Sequence, residues 1–147
     1  MESDTAAPGR VFILRLHDGE VLHETVERFA ELNGISAATV IAVGGVNEGS
    51  RLTVGPKFPI EGKIEPMFHV LNAPHEFTGT GTIFNSANGR PIMHMHGSCG
   101  RSGTSVTGCV RSGMIVWLVM EVIITEMIGT KAVRKEEKGF EILTIGE

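Results

Sequence analysis

Residues 89–113 constrain this chain more than any other window. They read Gly-Arg-Pro-Ile-Met-His-Met-His-Gly-Ser-Cys-Gly-Arg-Ser-Gly-Thr-Ser-Val-Thr-Gly-Cys-Val-Arg-Ser-Gly, with two histidines two positions apart, both cysteines of the chain and six glycines. Potential metal ligands and turn-forming residues are packed together, which is the pattern of a hairpin that builds a small metal site. Side chains alternate along a strand, so His94 and His96 share a face. A tight turn at Ser102-Gly103 sets Arg101 opposite Thr104, and the same register sets His96 opposite Cys109 and His94 opposite Arg111. Directly opposed residues have Cβ atoms about 4.5–5.5 Å apart, close enough for an imidazole and a thiolate to meet on one ion. His94, His96 and Cys109 then supply three ligands and leave a fourth position open, the arrangement of an open zinc site rather than a closed structural one. Mixed imidazole and thiolate ligation favours zinc without excluding other late transition metals.

A turn centred on Thr104 is the alternative register. It opposes Cys99 to Cys109 and allows a disulfide, although Ser-Gly suits the tighter turn and a reducing compartment disfavours the bond. The His-x-His pair is also found in cupins, but those need a glutamate shortly downstream, where this chain has Gly100 and Arg101. Arg101 and Arg111 are candidate holders of a carboxylate or phosphate group beside the ion.

A length of 147 residues suits one domain with a single sizeable core. Residues 1–10 carry no apolar run and are expected to be frayed, leaving 11–147 as the folded domain. Nineteen glycines favour many tight turns and a strand-rich fold. The net charge of −4 argues against holding nucleic acid by counterion release. The longest apolar run, 114–128, is interrupted by Glu121 and Glu126 and is shorter than the ~20 residues of a bilayer span. Without a signal-like leader, a cytoplasmic, reducing location is expected, where two cysteines serve as ligands or buried thiols.

Residues 10–16 (Arg-Val-Phe-Ile-Leu-Arg-Leu) predict a first strand, and Asp18 is placed to cap a following helix. In that helix Val21, Thr25, Phe29 and Leu32 recur at helical spacing, with Leu22 and Val26 alongside, and Asn33-Gly34 stops it. Strands are expected over 35–43, 51–54, 67–71, 77–85, 92–98, 105–111, 114–124 and 140–145, with 55–66 an irregular loop and 131–138 a solvated, mixed-charge segment. The 114–124 run lacks alternation, which predicts cover on both faces, one of them from another subunit. Trp117, Met114 and Met120 are expected in the core or at such an interface, and His17 and His23 in solvent.

Three sets of residues together resemble a known family. They are Leu14-Arg15-Leu16-x-x-Gly19-Glu20, then Phe29-Ala30-Glu31-Leu32-Asn33-Gly34-Ile35-Ser36-Ala37-Ala38, then Gly89-x-Pro91-x-x-His94-x-His96 followed by a glycine-containing turn. This is similar to the PPC domain of plants and prokaryotes, over residues 11–145. The resemblance implies a compact α/β (α+β) fold with a largely antiparallel sheet and one main helix, assembled as a homotrimer. It also implies a metal cluster of three histidines in some prokaryotic members. Two match His94 and His96, while the third falls where this chain has Thr107-Gly108-Cys109-Val110, so Cys109 stands as the replacement ligand. Plant members add an AT-hook for DNA. Here its Arg-Gly-Arg-Pro core is reduced to Asn88-Gly89-Arg90-Pro91 inside a hairpin, and residues 139–143, which look like a plant-member element, lie at the wrong end of the domain.

Three functions follow as expectations. The first is a homotrimeric module binding a transition metal, zinc by preference. The second is a metal-dependent hydrolase or lyase acting on a small anionic substrate, with His69, His75, Glu76 and Glu121 as the available acids and bases. The third is DNA association, carried over from the plant members alone.

Overall fold

The computed structural model describes residues 1–58, 64–137 and 139–146. In chain order the elements are β1 (Ala7–His17), α1 (Leu22–Leu32), β2 (Ala37–Val46), β3 (Arg51–Pro56), β4 (Pro66–Val70), β5 (His75–Asn85), β6 (Pro91–Arg101), β7 (Thr104–Val110), β8 (Val116–Ile128), β9 (Val133–Glu137) and β10 (Phe140–Thr144). Eight strands form an antiparallel sheet in the order β1-β8-β2-β5-β6-β7-β3-β4, and β9 and β10 form a separate hairpin. This is the expected class, one helix on a largely antiparallel sheet. Of the loop expected over 55–66, residues 59–63 lie outside the described residues.

The sheet has a core face and an open face, set by alternation. The core face carries Leu16, Met120, Val122, Ile124, Val40, Ala42, Ile83, Met93 and Met95, packed against Leu22, Val26 and Ala30 of α1. The buried helix stripe is therefore 22-26-30, one position round from the expected 21-25-29-32, and Leu32 is 76% exposed. The helix ends as expected, with Gly34 N–H donating to Glu31 O (3.2 Å) and Ile35 N–H to Ala30 O (2.9 Å), the paired bonds of a Schellman cap.

Two further expectations are corrected. Asp18 does not cap α1, whose N-terminus has no side-chain cap. Its carboxylate instead accepts from the Leu118 N–H (2.7 Å), where Leu118 has a positive φ of 61°. Nor is the N-terminus wholly frayed, because β1 starts at Ala7 and Asp4 accepts from Thr130 Oγ1 (2.7 Å) and Lys131 N–H (2.9 Å). The apolar run of 114–124 reflects apolar residues on both faces of β8, Val116, Met120, Val122 and Ile124 against the core and Ile123 on the open face. Along it Gly44 pairs with Met120 while Gly45 pairs with Trp117, a bulge whose two extra β8 residues leave the period-2 phase unchanged.

On the open face the registers align one residue from every strand of the sheet: Ile13, Ile123, Ile41, Thr80, His96, Cys109, Thr53 and Phe68. One end of this row is apolar and exposed, with Ile13 at 82% and Ile41 at 51%. Its middle carries the metal-ligand candidates.

Arg10 fastens β1 to β8. Its Nε and Nη2 donate to the Glu126 carboxylate (2.8 and 2.7 Å), and Nη2 also donates to Asn33 O at the helix end (3.0 Å). These hydrogen bonds hold the Glu126 carboxyl down at about 2, against an ordinary 4.5. Its folded-state value is lowered, so the pair contributes fully above about 4.5 and the contribution is lost as pH falls toward 2. Acid unfolding followed by circular dichroism is expected to lose part of its slope in that window in Glu126→Gln. Next to the site, Gly97 lies under the Phe77 ring, which a Cβ would overlap. Gly97→Ala is expected to cost about 1–3 kcal/mol by overpacking, read as a lowered urea midpoint.

Candidate metal centre

The hairpin of β6 and β7 forms in the register expected from Ser102-Gly103. Both turn residues have positive φ, 52° and 80°, the pattern of a type I′ turn. His96 pairs with Cys109 and Arg101 with Thr104. The ladder closes at Met95–Val110, so Arg111 lies just beyond it rather than paired with His94. The alternative register is excluded, since Cys99 pairs with Val106 in the core and both cysteines are free.

The donor atoms of His94, His96 and Cys109 all lie within 4.8 Å of one another. The two imidazoles meet through Nε2 atoms 3.2 Å apart, with their rings 70° to each other. Two nitrogens on one tetrahedral zinc, each about 2.0–2.1 Å from the ion, stand about 3.3 Å apart. The pair therefore fits a shared ion as well as it fits a hydrogen bond. Cys109 is 6% exposed. Burial pushes its thiol up, while the charge and hydrogen bonding of Arg111 and the charge of Arg134 pull it back toward the thiolate. Burial, then the charges of Arg134, His96 and Arg111, lower the His94 pKa and keep the ring neutral, the form that ligates metal. By contrast, burial alone raises Cys99 to about 11.

Cations surround this trio. Arg111 follows Cys109 by two residues, and its guanidinium lies over the Phe140 ring of β10 (5.6 Å). Arg51 of β3 lies over Phe68 (5.0 Å) and donates to Ser112 Oγ from Nη2 (2.6 Å) and Nε (3.1 Å). Arg134 of β9 is 3% exposed. It donates to Thr82 Oγ1 (3.0 Å) and Glu141 O (3.2 Å) and lies over Phe84 (5.8 Å). Among the described residues no carboxylate forms an ion pair with any of the three.

Two hollows open beside the trio. One, of about 480 Å³, is bordered by His96, Cys109, Arg51, Arg111, Phe68 and Phe140. The other, of about 400 Å³, is bordered by His94, Arg111, Arg134 and Phe140. Arg111 and Phe140 belong to both.

Arg101, the other expected anion holder, lies elsewhere. It sits at the turn end of β6, where Nη1 donates to Pro74 O (2.7 Å), in a hollow shared with His75, Glu76 and Trp117. Glu121 lies across β2 and β5 from the hairpin, and His69 is exposed on β4. Sequence reasoning missed Arg51, Arg134, Phe68 and Phe140. Arg134 was hidden in a stretch expected to be solvated, and only its place in a strand with one buried position marks it.

No curated protein matches the chain by sequence. Solved structures do. The crystal structure of a plant- and prokaryote-conserved (PPC) protein from Pyrococcus horikoshii matches with a TM-score of 0.84 at 23% identity, covering 100% of this chain and 99% of that one. A metal-containing protein from Archaeoglobus fulgidus matches with a TM-score of 0.82 at 25% identity, covering 100% of both. A Bacteroides thetaiotaomicron protein provisionally described as DNA-binding matches at 0.74 and 18% identity, covering 97% and 99%. Residues 3–128 match the sequence profile of the Plants and Prokaryotes Conserved (PCC) domain, and the chain belongs to that family.

Proposed function

We propose that this protein is a homotrimeric metal-binding module in which His94, His96 and Cys109 hold one zinc ion. The observation that carries the reading is the convergence of the three donors, with the Nε2 atoms 3.2 Å apart. The description of the Archaeoglobus fulgidus relative as metal-containing supports it. Bound zinc would supply a Lewis acid with an open position, able to polarise an oxygen ligand or lower the pKa of a bound water. The chain's own part is to keep His94 neutral, to offset with Arg111 and Arg134 part of the burial that raises the Cys109 thiol, and to leave the fourth position facing a hollow. A reducing, cytoplasmic setting keeps such a thiolate available.

The exposed apolar end of the open-face row, Ile13 and Ile41 with Val11 and Leu118, supports self-assembly. Binding is favoured over catalysis because the expected acids and bases, His69, His75, Glu76 and Glu121, stand away from the trio. DNA association rests on relatives provisionally described as DNA-binding. Three arginines are gathered at the metal centre, in a chain of net charge −4.

Protein purified without added metal is expected to carry about one zinc per chain by elemental analysis. Cys109→Ser and His94→Ala are expected to lose most of it while keeping the wild-type circular dichroism spectrum. Equal metal content in wild type and both variants would refute the site. Zinc in excess is expected to raise Tm in the wild type and not in Cys109→Ser, because only a ligand of the folded state stabilises it. Light scattering is expected to give a trimer, and Ile13→Glu with Ile41→Glu is expected to reduce its mass; a wild-type monomer would refute the assembly.

A further inference from the structure

The cations around the trio ask for a partner. A zinc ion with one thiolate carries a net positive charge, and Arg51, Arg111 and Arg134 add three more. Glu141 on β10 borders the smaller hollow; its backbone carbonyl accepts from Arg134 and its carboxylate charge acts on Arg134 without forming an ion pair. Arg134 is buried, where a guanidinium without a carboxylate is costly unless hydrogen bonds offset it, whereas Arg51 and Arg111 are exposed and free to meet a ligand. Arg134 is satisfied by carbonyls and Thr82, and Arg51 by Ser112. Arg111 makes no such protein bond to oxygen among the described residues, and it borders both hollows with His96 and Cys109 on one side and His94 on the other.

The walls of the larger hollow have a different character. Phe68, Phe140, Pro56 and Pro66 give it an apolar side opposite the ligand trio. Phe68 and Phe140 also hold Arg51 and Arg111 by stacking, which fixes the cations while leaving guanidinium edges free to donate. A volume of about 480 Å³ lies in the range of small-ligand sites. Cations held against aromatic walls fit a ligand with an anionic and an apolar part.

We propose that this hollow binds a small amphipathic anion, an organic phosphate or carboxylate. Its oxyanion meets Arg111 and the open metal position, and its apolar body lies between Phe68 and Phe140. The inference deepens the metal-binding reading and rests on it for one contact. Arg111 sets the charge of the ligand, and Phe140, contributed by the C-terminal hairpin, selects its apolar part. Arg101 has no role in it.

The test uses the full chain loaded with zinc and isothermal titration calorimetry, with phenyl phosphate as the probe. Phenyl phosphate is expected to bind at least about tenfold tighter than inorganic phosphate, which lacks the apolar body, and than phenol, which lacks the anion. Benzoate in place of phenyl phosphate distinguishes a carboxylate from a phosphate preference. Arg111→Met is expected to weaken phenyl phosphate at least about tenfold. Phe140→Ala is expected to weaken phenyl phosphate while leaving inorganic phosphate unchanged, and Arg101→Met to match wild type. Phenol binding as tightly as both anions, or a folded Arg111→Met that keeps wild-type affinity for them, overturns the proposal. A protein that holds zinc but binds neither phenyl phosphate nor benzoate overturns this inference alone. A protein that holds no zinc yet binds phenyl phosphate through Arg111 overturns the metal reading and upholds the anion site.

Discussion

The pairing of β6 with β7 is the constraint on which the site depends. Two residues of positive φ, Ser102 and Gly103, turn the chain so that its strands meet in one register. Because side chains alternate with period 2, a slip by one residue would send every side chain of β7 to the other face. Cys109 would enter the core and Val110 would come to the surface. The same alternation seats Met93, Met95 and Cys99 against the core while His94 and His96 face out. Core packing and metal-ligand placement are thus one geometric condition, and the cost of exposing the core residues holds the ligands in position.

That condition is local in sequence, which is why it was legible there. The His-x-His pair, the Ser-Gly turn and Cys109 lie within a few residues of one hairpin, and period-2 counting suffices to align them. The helix and its Asn33-Gly34 stop were legible for the same reason. What was not legible depends on distant parts of the chain. Arg134 is drawn in by Thr82 and the carbonyl of Ile92, more than forty residues away. Charge alone made it look solvated. The segment 139–143 looked like a chance resemblance, yet Phe140 borders both hollows. The helix stripe was misphased by one position because Val21 is drawn into a bridge with Ile115, so the apolar count began one residue too early. The β8 run reads as continuous because apolar residues occupy both of its faces, Val122 and Ile124 toward the core and Ile123 on the open face.

The electrostatics of the centre run against those of the whole chain. An acidic protein, net −4, gathers three arginines around one cluster of soft and borderline ligands. Three phenylalanine rings hold them, Phe68, Phe84 and Phe140, each under one guanidinium. Aromatic faces attract cations without neutralising them. The arrangement keeps positive potential at the site, where an ion-paired carboxylate would have cancelled it; Glu141, which borders the smaller hollow, makes no ion pair there.

The hairpin of β9 and β10 lies beyond residues 3–128, the part that matches the family profile, yet it supplies Arg134 and Phe140 to the walls around the ligand trio. The donors and the register that aligns them are encoded within the matched domain. Part of what borders the trio is encoded in this hairpin of β9 and β10, which the matching solved structures also cover. Such a division allows the two parts to diverge at different rates. Substitutions in the hairpin of β9 and β10 can alter which molecules reach the centre without disturbing the core, whereas substitutions in the hairpin of β6 and β7 put fold and ligation at risk together.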